Sequence, residues 1–188
     1  MAHGAFASIN PDFITEQEFL EGEKLSECRH EYHHGVVIAM AGASQRHEIV
    51  SLNLASTIHG HLKGKGCRTF KSDMKLHLEI FGRTFYLYPD IMVACDPADN
   101  DPNFIHSPKL LIEVLSENEN RDRVEKFLMY QRIPSLEEYA VVSQNPKAPE
   151  VTVFRRADGW DVPHVHTSGE VFFASIGLTV SVEELYLA

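Results

Sequence analysis

The chain has 188 residues, enough for one domain with a substantial core, and its 44% hydrophobic and 23% charged residues are the balance of a soluble globular protein. No run of about 18 apolar residues occurs, which excludes a membrane-spanning helix, and Met1 to Asn10 lacks the basic start and apolar run of a secretory signal. The formal net charge of −10 works against nucleic-acid binding, whose affinity is dominated by Lys and Arg neutralising phosphates, so an acidic chain acting on DNA must concentrate its cations locally, oligomerise or use metal ions.

Residues Thr15 to Glu23 predict a short helix, with Thr15 as N-cap and Glu18 three residues on, a capping box. Residues His30 to Met40 read as a hairpin turning near His34-Gly35. Ser44 can cap a helix running to about Leu62, with an apolar stripe of Ile49, Leu52, Ile58 and Leu62 and with Val50 and Leu54 beside it. Gly64 and Gly66 end that helix. Short strands follow at Cys67 to Lys71 and Met74 to Glu79, then a longer one at Phe85 to Cys95. Beyond a loop rich in Asp, Asn and Pro lie a strand, Lys109 to Ser116, a helix, about Arg121 to Gln131, and a strand, Tyr139 to Ser143. The remainder reads as antiparallel strands at Glu150 to Arg155, Trp160 to His166, Val171 to Ala174 and Leu178 to Val180, with Asp158-Gly159 and Ser168-Gly169 as turns. Helices interleaved with a central sheet, plus a β-rich tail, imply an α/β or α+β fold. No repeat or low-complexity linker divides the chain, so one domain over residues 1–188 is expected.

Cys28, Cys67 and Cys95 are odd in number, far apart and in no Cys-x-x-Cys pair. That argues against a disulfide scaffold and a thiolate zinc site, and free thiols in a reducing cytoplasm are expected.

Two carboxylates stand out. Glu113 sits inside LLIEVLS, apolar at nearly every position and so buried on both faces of a sheet. Asp90 sits in YLYPDIMVAC, where Pro89 removes a ladder donor and implies an edge, a bulge or a distortion. A buried carboxylate needs a cation, a metal or strong donors. Either residue alone is accounted for by a salt bridge or a cap. Together, on consecutive strands, they can converge on a hard cation such as Mg²⁺ or Mn²⁺. On the next helix Asp122 and Lys126 share a face, which by itself reads as an exposed ion pair. The helical wheel puts Val124, Phe127, Leu128 and Gln131 on the core side and Lys126 in solvent.

Pro89-Asp90 followed by Ile112-Glu113-Val114 resembles the PD-(D/E)XK nuclease motif. The segments HEYHHGVVIAMAGAS, YPDIMVACD, PKLLIEVLSENEN, RDRVEKFLMYQRIPSLEEYAVV and SIGLTVSVEELY, with the His47 helix, extend the likeness over nearly the whole chain. They resemble a bacterial family of restriction-endonuclease-like proteins, formerly a domain of unknown function and abundant in cyanobacteria. The resemblance implies a restriction-endonuclease-like mixed central sheet flanked by helices, with an antiparallel β-rich C-terminal extension. It implies Asp90 and Glu113 as catalytic metal ligands, with the Val114 carbonyl a possible third. The superfamily places a lysine two residues after the glutamate. Here that residue is Leu115, and the resemblance implies that Lys126 replaces it from the following helix. Glu31 and His47 occupy positions that recur in the family, although a helix histidine bonded to a neighbour is an equal reading of His47.

The implied activity is Mg²⁺- or Mn²⁺-dependent hydrolysis of phosphodiester bonds in DNA by a cytoplasmic endonuclease. Leu115 and the acidic charge point instead to a non-catalytic module that keeps the fold and binds nucleic acid or protein. A third reading is a metal-dependent hydrolase of another substrate. A homodimer is expected because two-fold dimers are the commonest oligomers. No zinc cage is expected from His33-His34, His59 and His61, or His164 and His166, none of which supplies three ligands. Gly64-Lys65-Gly66 is too short for a phosphate loop. Lys63, Lys65, Arg68 and Lys71 read as a solvated basic face that could touch a phosphate backbone.

Overall fold

The computed structural model describes residues 13–115 and 121–188, and for residues 121–123 the backbone alone. Helix α1 (Glu16–Leu25) carries the expected capping box, with Thr15 and Glu18 bonded reciprocally. Strands β1 (His30–His33) and β2 (Val36–Ala39) form the expected hairpin. At its turn Gly35 has φ +97°, and a Cβ there would run into the Phe13 ring, so glycine is required twice over. Helix α2 (Gln45–Leu62) starts at the Ser44 cap.

The central sheet has six strands: β3 (Arg68–Lys71), β6 (Ile91–Ala94), β8 (Pro108–Val114), β9 (Glu138–Val142), β10 (Val151–Arg155) and β11 (His164–His166). Their order is β11-β10-β9-β8-β6-β3. The β8–β9 pair is parallel and the others are antiparallel, so the sheet is mixed. A second sheet, β2-β1-β5-β4-β7, is completed by β4 (Lys75–Ile80), β5 (Arg83–Leu87) and β7 (Phe104–Ile105). Among the described residues, strands β12 (Glu170–Phe173) and β13 (Leu178–Ser181) pair only with each other. Part of the expected C-terminal extension, β10 and β11, therefore lengthens the central sheet.

The strand expected over Phe85 to Cys95 is two strands in two sheets. Tyr88-Pro89-Asp90 lies between them, where the missing proline N–H ends one ladder. Strand β8 is buried on both faces, as its unbroken apolar run demands. Leu110, Ile112 and Val114 face a core built with Val50, Leu54, Ile58 and Leu62 of α2. Leu111 and Leu115 face a second core with Tyr130, Tyr139, Leu76 and Leu87.

Three expectations are corrected. On α2 the buried positions are His47, Val50, Ser51, Leu54, Ile58 and Leu62, while Leu52 is 56% exposed. The core stripe thus runs through His47. Secondly, Arg121–Lys126 is a π-helix leading into a one-turn α-helix, α3 (Phe127–Tyr130). Its wider turns, closed by i→i+5 bonds, change the phase of the wheel. Val124 and Leu128 are exposed, whereas Lys126 and Tyr130 are buried. Thirdly, Cys67 and Cys95 are joined in a disulfide, and Cys28 is the free cysteine. The β3–β6 register pairs Arg68 with Ala94, so Cys67 and Cys95 are the next residues to face each other. Pairing across strands, invisible in linear spacing, decides this.

Candidate active site

Strand pairing brings Asp90 and Glu113 to the same end of β6 and β8. Ile91 of β6 faces Ile112 of β8, so the antiparallel register continued by one residue sets Asp90 against Glu113. Residues directly opposite in such a pair have Cβ atoms about 4.5–5.5 Å apart.

Each carboxylate is held by donors from a different element. Asp90 Oδ2 accepts from the Val114 backbone N–H at 2.8 Å and is 3.0 Å from His47 Nε2. Glu113, 2% exposed, accepts at Oε1 from Lys126 Nζ at 2.9 Å and from Tyr130 OH at 2.8 Å. Lys126 Nζ is also 3.3 Å from Oε1 of Glu31, a buried residue of β1. His33 Nε2 lies 3.4 Å from the other oxygen of Glu31. The central sheet, the five-stranded sheet, α2 and the π-helix thus each contribute a group.

The surroundings set the protonation states. Burial alone lowers the His47 pKa, but the hydrogen bond and charge of Asp90, with Glu48 and Glu113, outweigh it and the net shift is upward. Burial, then the charges of Glu113 and Glu31, hold Tyr130 well above the ordinary tyrosine value. Its phenol therefore keeps its proton and donates it.

A further bridge fixes the frame. Gln144 Nε2 donates to the Leu115 carbonyl at 2.8 Å, and its Oε1 accepts from Ser44 Oγ, the cap of α2. One side chain so ties the end of β8 to the start of the helix that carries His47.

Of the residues singled out in the sequence, Asp90 and His47 form one bonded set and Glu113, Lys126 and Glu31 another, and the two adjoin where the N–H of Val114, next to Glu113, reaches Asp90. Leu115 points into the apolar core. The Asp122 side chain lies outside the described residues. Tyr130 and Gln144 were missed. The four-residue spacing from Lys126 could have suggested Tyr130 once Lys126 was known to face inward. Nothing local marks Gln144. In the basic stretch, Lys71 pairs with Glu48 at 3.0 Å, and Arg68 donates to the carbonyls of Asp96 and Asp99.

Asp90 and Glu113 supply hard oxygen atoms; of Val114 it is the N–H that reaches this place, bonded to Asp90. Among the described residues no group of three or more His, Cys, Asp or Glu side chains is placed to hold a metal ion.

The fold is nuclease-like. The chain belongs to the Uma2 family, described as "Putative restriction endonuclease", whose model matches residues 16–183. An uncharacterised protein of Synechocystis sp. is 33% identical over 177 residues, covering 92% of this chain and 91% of its own. A second uncharacterised Synechocystis protein is 33% identical over 135 residues, covering 70% and 75%. The fold matches the crystal structure of a protein from Anabaena variabilis, titled a "putative nuclease belonging to DUF820". The TM-score is 0.70 at 23% identity, covering 92% of this chain and 97% of that one.

Proposed function

We propose that this chain is a metal-dependent endonuclease hydrolysing phosphodiester bonds of DNA, with Mg²⁺ or Mn²⁺ held by Asp90 and Glu113 and with Lys126 assisting. What supports this reading is that Asp90 and Glu113 both fall at the end of β6 and β8, Asp90 bonded to a histidine and Glu113 to a lysine. Family membership supports the reaction class.

Asp90 and Glu113 would hold a divalent ion, which would supply Lewis acidity towards water and the phosphate. The protein's own groups do the rest. Val114 N–H and His47 fix one oxygen of Asp90, and among the described residues none hydrogen-bonds Oδ1, which is the oxygen to face a ligand. Tyr130 fixes the orientation of Glu113. As an ammonium, Lys126 can orient the attacking water or neutralise charge developing on the phosphate. It supplies from the helix the cation that Leu115 does not. Two copies of the chain would present two sites to two strands, and sedimentation tests that dimer against a 21.3 kDa monomer.

Cleavage of supercoiled plasmid with Mg²⁺ or Mn²⁺ is the test, repeated with Asp90→Ala, Glu113→Ala and Lys126→Ala. Activity lost in all three variants supports the assignment. Equal activity in the wild type and the variants removes it. The alternative, a binding module without catalysis, draws on the buried Leu115 and the acidic charge. It predicts DNA or protein binding that is indifferent to metal.

A further inference from the structure

Away from that cluster, two histidines face each other across the second sheet and share a hydrogen bond between their ring nitrogens. Strands β4 and β7 pair in parallel, with Lys75 opposite Phe104 and Leu76 opposite Ile105. The next pair in this register is His77 and His106, and their Nδ1 atoms lie 3.1 Å apart. The rings meet edge to face with centroids 4.9 Å apart.

That separation suits a chelate. With metal–nitrogen bonds of about 2.0–2.1 Å, two cis imidazoles stand about 2.9 Å apart at a right angle and about 3.3 Å apart in a tetrahedron. Stacking of His77 flat on Tyr86, with centroids 4.7 Å apart and planes 11° apart, keeps its Nδ1 edge turned to His106. His106 borders two open clefts, of about 340 and 400 Å³. Waters or a small ligand could complete a coordination shell from there. Burial, then the neighbouring His106, holds His77 below the usual imidazole range, so its lone pair is available at neutral pH.

We infer that His77 and His106 form a bidentate site for a divalent transition-metal ion of the Cu²⁺, Ni²⁺ or Zn²⁺ class, separate from the Asp90–Glu113 cluster. Imidazole pairs select such ions over Mg²⁺ and Ca²⁺, which prefer oxygen. Two protein ligands leave the remaining positions to water, an open site rather than a structural one.

Titration of the metal-free full chain with Zn²⁺ by calorimetry tests this, on the wild type, His106→Gln and the Asp90→Asn/Glu113→Gln double variant. His106 is exposed, so its replacement leaves the fold intact. Expected is one site retained in the double variant and weakened about tenfold or more in His106→Gln. Cu²⁺ added at sub-stoichiometric levels is expected to broaden the ring NMR signals of His77 and His106 before those of the other histidines. Unchanged Zn²⁺ affinity in His106→Gln, or broadening that begins at other histidines, would overturn the inference.

Discussion

Lys126 Nζ and Glu113 Oε1 are 2.9 Å apart in a pair whose side chains are 6% and 3% exposed, and Glu31 lies within 3.3 Å of the same ammonium. Truncating the lysine leaves two carboxylates buried without their cation. Lys126→Met should therefore cost about 3–5 kcal/mol of unfolding free energy in urea without metal. Adding Glu31→Gln and Glu113→Gln should recover part of that loss, because the residual charge goes too. A Lys126→Met variant as stable as the wild type would show the pair to be solvated.

Tyr130 reaches the same oxygen of Glu113 as Lys126. Tyr130→Phe removes a hydrogen bond to a charged group and nothing else of the ring. A loss of about 1.5–3 kcal/mol is expected by the same denaturation. Plasmid cleavage should fall as well, since Glu113 loses an anchor that fixes its direction. Unaltered stability would mean that the phenol contributes packing alone.

The capping box on α1 carries a pH signature. Hydrogen bonds from the Thr15 side chain, then its backbone, hold the Glu18 carboxyl below its ordinary value of 4.5. The native state therefore binds fewer protons there than the unfolded chain. The stabilisation is complete above pH 4.5 and disappears as pH falls through the depressed value. Thr15→Ala should lower the thermal midpoint by about 2–4 °C at neutral pH. That difference should shrink in acid, and a gap independent of pH would contradict the reciprocal bond.

Cysteine chemistry gives a direct count. The native chain should show one reactive thiol, Cys28, and three after reduction under denaturing conditions. The bridge spans 28 residues of sequence, so its reduction should cost about 3–4 kcal/mol. Three thiols in the unreduced protein would refute the bond.

What the sequence disclosed followed from patterns that local physics controls. The Thr15 and Ser44 caps, the His34-Gly35 turn and the doubly buried β8 each depend on residues within a few positions. Glu113 was legible because a charge in an aliphatic run has no cheap place to be. The failures came where geometry is set at a distance. Helical phase at Lys126 depends on a π-turn that no periodicity announces. The Cys67–Cys95 bond depends on the register of β3 against β6. The Gln144 bridge joins Ser44 to Leu115 from a strand end remote in sequence from both.

The Asp90–Glu113 pair as a cation site is tested most directly by calorimetric titration of the metal-free chain with Mn²⁺, on the wild type and on Asp90→Asn and Glu113→Gln. Expected is binding in the wild type that each single substitution weakens by at least about tenfold, a change of about 1.4 kcal/mol. Wild-type binding that both substitutions leave unchanged, or none at millimolar Mn²⁺, would contradict it.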